Sequence, residues 1–214
     1  MTSQTTCRKS VVLTPVSKYA DIIMKRSERC KWGFTSKDEA KLRKSLRGCK
    51  NVNLLRPIGV DIRLGKGLPN DWEQAENWLK DEIEKLGHKL SVYFKPNDLS
   101  FLPRSKRKLG LGFSVVKLDF ETFRNPLGGL SSKEVLSNRP IRPGLEIAYF
   151  LALNPQIFTK MDGTEIPYLQ APGLVVYGTG MPLFYHDDDE HFYIMPSWHD
   201  ANNCSKYTSM AAYN

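Results

Sequence analysis

The residues best equipped for chemistry lie between 185 and 200, in "YHDDDEHFYIMPSWHD". Three of the chain's four histidines, His186, His191 and His199, stand there beside Asp187, Asp188, Asp189 and Glu190. Imidazoles and carboxylates are ligands of Zn²⁺, Mn²⁺ and Mg²⁺. His186, Asp188, His191 and His199 are thus the candidate set for a divalent metal, and metal-dependent cleavage of a phosphodiester is the reaction such a set would support. The flanks argue the other way. Phe184-Tyr185 precede the acids and Phe192-Tyr193 follow them, the pattern of a hairpin with cross-strand aromatic pairs and a solvated tip. Consecutive side chains at a tight turn splay apart and do not converge on one ion. The expectation is a charged tip with His186 and His191 facing each other across the strands, and no catalytic residues, metal or cofactor.

Other chemical signatures are thinner. "RLGKGLPND" (63–71) joins a strand to a helix but lacks the G-x-x-x-x-G-K-[ST] spacing of a phosphate loop, so an ordinary turn is expected. No G-x-S-x-G elbow is present. Cys7, Cys30, Cys49 and Cys204 form no C-x-x-C pair and no zinc spacing, which points to free thiols in a reducing, intracellular compartment. Residues 1–19 hold no hydrophobic core of signal-peptide type. They are rich in Ser and Thr without acids, a transit-like composition that Pro15 interrupts, so an organelle or a virion also fits.

Charge is the stronger signal. The 214 residues carry a formal +8, yet residues 1–50 alone carry +9 and residues 151–214 carry −5. A basic end of this kind suits a polyanion, because each cation near a phosphate releases condensed counterions. No apolar face strong enough to insert in a membrane accompanies it. The cations cluster at two places: Lys37, Lys41, Arg43, Lys44 and Arg47 in "SKDEAKLRKSLRG", and Arg104, Lys106, Arg107 and Lys108 in "PRSKRKLG". The acidic 187–190 loop is a complementary patch for a basic neighbour, which fits other protein subunits as partners.

The elements that would position these groups follow from periodicity. A helix is expected from Ser36, with Glu39 completing a capping box and Gly48 ending it, and Leu42 and Leu46 turned inward. "RPIGVDIRLGKG" alternates like a half-buried strand. "LPNDWEQAENWLKDEIEKLG" reads as a helix capped by Asn70 or Asp71 and closed by Gly87. Trp72, Ala75, Leu79, Ile83 and Leu86 form its core stripe. Strands are expected over "HKLSVYF", "LGFSVVKLDF" and "LEIAYFLAL", with a short helix over "SSKEVLSN" and an Asp162-Gly163 turn beyond.

This order gives β-α-β-β-α-β, a ferredoxin-like arrangement. The third strand, Lys108 followed by Gly110, Leu111, Gly112, Phe113, Ser114, Val115 and Val116, resembles the third-strand signature of RNA-recognition motifs, with Leu111 and Val116 standing where that signature has aromatics. The resemblance implies that Phe113 stands on an open sheet face and stacks on a base. The fold class expected is α+β: a basic helical segment over 1–50, a ferredoxin-like, RNA-recognition-like core over 51–153, and an antiparallel β-rich extension over 154–214. The function expected is binding of nucleic acid, RNA or single strands, without catalysis, in a ribonucleoprotein or virion-like assembly. A metal-dependent nuclease using residues 186–199 and a structural or scaffold protein are the alternatives.

Overall fold

A long helix carrying two buried tryptophans stands at the centre of a helix-and-sheet architecture. The computed structural model describes residues 11–51, 54, 56–101, 110–119, 144–161, 168–171, 173–187, 191–198, 208–210 and 212–213. In chain order its helices are α1 (Tyr19–Cys30), α2 (Ser36–Leu46), α3 (Leu68–Lys85) and α4 (Leu145–Leu153). The strands are β1 (Ile58–Leu64), β2 (Lys89–Val92), β3 (Leu99–Phe101), β4 (Leu111–Asp119), β5 (Tyr168–Gln170), β6 (Leu174–Val176), β7 (Gly180–His186), β8 (His191–Trp198), β9 (Thr208–Met210) and β10 (Ala212–Tyr213). They form a three-stranded sheet in the order β1-β4-β10 and a seven-stranded sheet built along β2-β8-β7-β5-β9, with β3 and β6 attached through β7.

The α+β class holds. The ferredoxin-like order is not what the described strands form. β1 and β4 pair antiparallel, Ile62 opposite Phe113, but β2 lies in the other sheet, parallel to β8. The expected strand "LEIAYFLAL" is α4, a helix with all nine residues buried. An unbroken apolar run has no period to separate helix from strand, and a helix apolar on every side belongs at the centre of a fold. It packs on both β1 and α3. The expected helix over 131–138, the Asp162-Gly163 turn and the 104–108 cluster lie outside the described residues.

The tryptophans of α3 join the layers. Trp72 packs on Phe94 and Phe184 of the larger sheet's side at 5.3 and 6.4 Å, while Trp78 meets Trp32 at 5.8 Å and Tyr149 of α4 at 6.2 Å. One apolar cluster runs through these contacts from Val16 to Ile194. The cap of α3 differs from expectation. Gly67, at φ 93°, is the N-cap, and Asp71 instead accepts a hydrogen bond from the Leu64 N–H at 2.9 Å. Leu86, assigned to the core stripe, is 39% exposed at the C-cap. The capping box of α2 is likewise one residue early, with Thr35 and Asp38 in the roles expected of Ser36 and Glu39. Among the described residues no helix is long and apolar enough to cross a membrane.

β1 is buried on both faces. Its Arg63 guanidinium donates from Nη1 to Asp61 at 2.9 Å and to Ser114 of β4 at 2.8 Å, so this Arg–Asp pair is held within the fold at 8% and 3% exposure. Near the other end of β1, Asn51 accepts the Ile58 N–H, and Asn154 accepts the Thr14 N–H. Both amides also donate to the Tyr19 hydroxyl, at 3.3 and 3.0 Å, which ties the start of the described chain to α4 and β1.

Candidate functional site

The hairpin expected around the acidic run is present. β7 and β8 pair antiparallel with His186 opposite Phe192 and Tyr185 opposite Tyr193, and the Asp187 N–H donates to the His191 carbonyl at 3.1 Å. That register leaves three residues between Asp187 and His191, one fewer than a direct His186–His191 pair would need. Because side chains alternate along a strand, a slip of one residue changes every face. His186 therefore shares the core side with Phe184, Phe192 and Ile194, stacking on Phe192 at 4.4 Å. His191 shares the outer side with Tyr193, at 5.7 Å. The expected facing pair is thus separated by the sheet itself, and with it goes the geometry on which a shared metal at these two histidines rested. Asp188 and His199 lie outside the described residues. The imidazole that does approach His186 is His88, at 5.8 Å, brought there by the parallel pairing of β2 with β8. Among the described residues no group of three His, Cys, Asp or Glu side chains is placed to hold a metal ion.

The outer face of this sheet carries a feature that sequence spacing did not disclose. Tyr168 of β5, Tyr185 of β7 and Tyr193 of β8 stand in one row across three strands, and Tyr93, just past the end of β2, continues it. Successive ring centroids are 5.4, 5.0 and 5.9 Å apart. Tyr185 and Tyr193 are inclined by only 19°, and their separation exceeds the ~3.5 Å of direct ring contact, so they overlap like shingles. Loss of hydration, then the Asp187 carboxylate, raises the pKa of both phenols. The one sign in the sequence was the mirrored Phe-Tyr pairs. Tyr93 and Tyr168 are too distant in sequence to be read into the same row.

The basic helix is shaped by its burial. Leu42 and Leu46 are buried, and Lys37, Lys41 and Lys44 recur at i, i+4 and i+7 on the opposite, exposed side. Arg47 follows at the C-cap, also exposed. Among the described residues Lys37, Lys44 and Arg47 have no carboxylate within ion-pair distance, and Lys41 has only Asp38, at 3.9 Å. Hydrogen bonds from Thr35 hold the Asp38 pKa below the usual carboxylate range.

Arg43 differs from its neighbours. It bonds Asp21 of α1 and, at 2.6 Å, Glu39, and these hydrogen bonds raise its pKa. Arg26 and Arg29 are likewise held by Asp81 of α3, and Arg26 also lies 5.8 Å from the Trp78 ring. Part of the N-terminal charge is therefore engaged inside the fold, whereas the outward arc of α2, like Lys18, Lys25, Lys31 and Lys50, is exposed.

Phe113 is placed differently from the expected open sheet face. It is half-buried against the core, and Phe34, the residue before the α2 cap, lies 4.6 Å from it at 47°. Leu111, two residues earlier, is 47% exposed. No family model, curated protein or solved structure matches this chain. What remains is the chemistry of its own surfaces: a cationic arc beside a half-exposed phenylalanine pair, and a tyrosine row bordered by a carboxylate. The turn at 63–71 offers neither. Its first-turn acid, Asp71, is occupied with backbone, and Lys66 is exposed.

Proposed function

We propose that this protein binds single-stranded nucleic acid, RNA foremost, without catalysis, as one component of a ribonucleoprotein or virion-like assembly. The observation that carries the reading is the outward arc Lys37, Lys41, Lys44 and Arg47, three of whose members have no carboxylate partner among the described residues. Over ten residues of helix the arc extends about 15 Å, long enough to follow several phosphates. Single strands suit it better than duplex because Phe34 and Phe113 lie beside the first turn of α2, where an unstacked base can meet a partly open ring. The reading takes from the RNA-recognition likeness only the role of Phe113, now shared with Phe34. Arg104, Lys106, Arg107 and Lys108 extend the cationic set in sequence, and a reducing intracellular setting, an organelle or a virion would suit such a component. Fluorescence anisotropy with labelled single-stranded and duplex RNA of equal length is the test. Tighter, salt-sensitive binding of the single strand supports the reading. Equal affinity for both forms removes the stacking role, and no binding at low salt removes the function.

A further inference from the structure

The β1–β4 pair carries a charged group that its neighbours only partly occupy. Side chains alternate along paired strands, so Asp61 and Arg63 share one face with Gly112, Ser114 and Val116, and Ile62 and Phe113 share the other. Through Nη1, Arg63 donates to Asp61 at 2.9 Å and to Ser114 at 2.8 Å. Its Nε is buried and meets no hydrogen-bond acceptor. A buried N–H of this kind is destabilising unless something from outside the chain completes it. Nε and Nη2 form the side edge of the guanidinium, a fixed fork of N–H groups that matches two oxygens of a phosphate or carboxylate. Gly112 stands directly across from Arg63, and a Cβ there would lie 3.3 Å from Nη2. Its φ of 153° is also one that favours glycine. The rim beyond is bare as well. Among the described residues a Cβ on Gly110 would meet nothing within 4 Å. The turn holding exposed Lys66 lies against this end of β4, with the Cβ position of Gly65 3.2 Å from the Leu111 nitrogen.

We propose that the Nε–Nη2 edge of Arg63, entered past Gly112, binds a terminal phosphate, either a free phosphomonoester or the phosphate at the end of a strand. Arg63 is 8% exposed, so the fork takes a group that projects from the end of a molecule. A diester flanked by two sugars is too encumbered to reach it. Asp61 already balances the guanidinium charge, so the match of two oxygens to two N–H groups decides the binding. Lys66 adds charge at the rim, and a phosphomonoester at roughly −1.5 to −2 gains more from it than a singly charged carboxylate does. The site is on the sheet face opposite Phe113 and does not rest on strand binding along α2.

Heteronuclear NMR of the arginine Nε–H groups tests this on protein freed of nucleic acid and titrated with inorganic phosphate at constant ionic strength. One resonance, identified by its loss in Arg63→Lys, should move downfield and saturate. Chloride should leave it in place, and acetate should need roughly tenfold higher concentration to move it. Gly112→Ala crowds the fork while retaining Arg63, and should weaken the phosphate response about tenfold or more. Should that variant fold poorly, calorimetric titration of Arg63→Lys takes its place. The charge opposite Asp61 then stays, the fork is gone, and phosphate affinity should fall by a similar factor. Strands ending in phosphate, compared with strands ending in hydroxyls, distinguish the two sources. Movement with the phosphorylated strand alone assigns the strand end, and movement with inorganic phosphate but neither strand assigns a free phosphomonoester. A resonance that phosphate at tens of millimolar does not move overturns the proposal, because water then completes Nε. Equal movement with acetate, or an unchanged response in Gly112→Ala, overturns it too. Loss of strand binding along α2 with the phosphate response intact would reject the function proposed above and leave this site standing.

Discussion

Neutralising the outward cations of α2 should change how binding depends on salt by an amount the structure sets. Each phosphate neutralised on a single strand contributes about −0.7 to the slope of log affinity against log salt. The variant Lys37→Gln/Lys41→Gln/Lys44→Gln/Arg47→Gln removes four exposed cations, so its slope should be shallower by up to ~2.8. Over a tenfold rise in salt the wild type should lose about 600-fold more affinity than the variant. Arg43→Gln is the internal control. Its guanidinium is already held by Asp21 and Glu39, so it neutralises little phosphate charge and releases few of the strand's counterions, and its slope change should stay well below ~0.7. The fold should tolerate both changes in α2, because Leu42, Leu46 and the Thr35 cap hold the helix and Gln is nearly as good a helix former as Lys. The assay is anisotropy of a labelled single strand across a salt series, at protein dilutions where self-association is absent. An unchanged slope in the four-site variant, with its melting temperature intact, would refute the placement of phosphates on this helix. So would a slope change at Arg43 as large as that of an outward lysine.

Asp61→Asn leaves the buried Arg63 guanidinium without its opposite charge and should cost about 3–5 kcal/mol in urea unfolding, whereas Asp61→Leu with Arg63→Met should cost much less. Tyr177 holds a left-handed backbone at φ 51°, which strains a bulky side chain, so Tyr177→Asn should leave the melting temperature unchanged or raise it by the equivalent of ~1 kcal/mol. The folded pKa of Asp38 is depressed by its bonds from Thr35. Its contribution to stability is present above the unfolded value of ~3.9 and is lost as pH falls through the lower folded value, so Asp38→Ala should flatten the acid limb of melting temperature against pH.

Local patterns in the chain were legible where one face of an element is polar and the other apolar. The Leu42–Leu46 pair and the Trp72, Ala75, Leu79 and Ile83 stripe place α2 and α3, and the alternation from Ile58 to Leu64 places β1. Legibility failed where that contrast disappears. Residues 145–153 are apolar throughout, and only the neighbours of α4, β1 on one side and α3 on the other, decide that they form a helix. The caps failed by a residue or more for a related reason. Thr35, Ser36 and Asp38 can each cap a helix, and the sequence offers no measure of which N–H group is reached. Strand partners are the least local feature of all. That β2 runs parallel to β8, about a hundred residues later, follows from no pattern in either segment.

The candidate sites divide along the same line. The cationic arc is a property of a single helix, and its outward direction follows once Leu42 and Leu46 are placed inside. What the charge pattern concealed is that Arg43, Arg26 and Arg29 answer carboxylates on neighbouring helices, so counting cations overstates the charge available to a ligand. The facing of the two histidines was misjudged for the opposite reason. A charged tip with His186 and His191 facing each other was the expectation, but a hairpin sends alternate residues to opposite sides, and a three-residue connection puts His186 on the core side and His191 on the outer side. That same parity aligns Tyr185 with Tyr193, and Tyr168 and Tyr93 join them through strand pairings that the sequence does not announce. One register thus separates the histidines and assembles the tyrosines. Among the described residues of this stretch, 185–187 and 191–198, the aromatic row is what the register builds, with one imidazole on each side of the sheet.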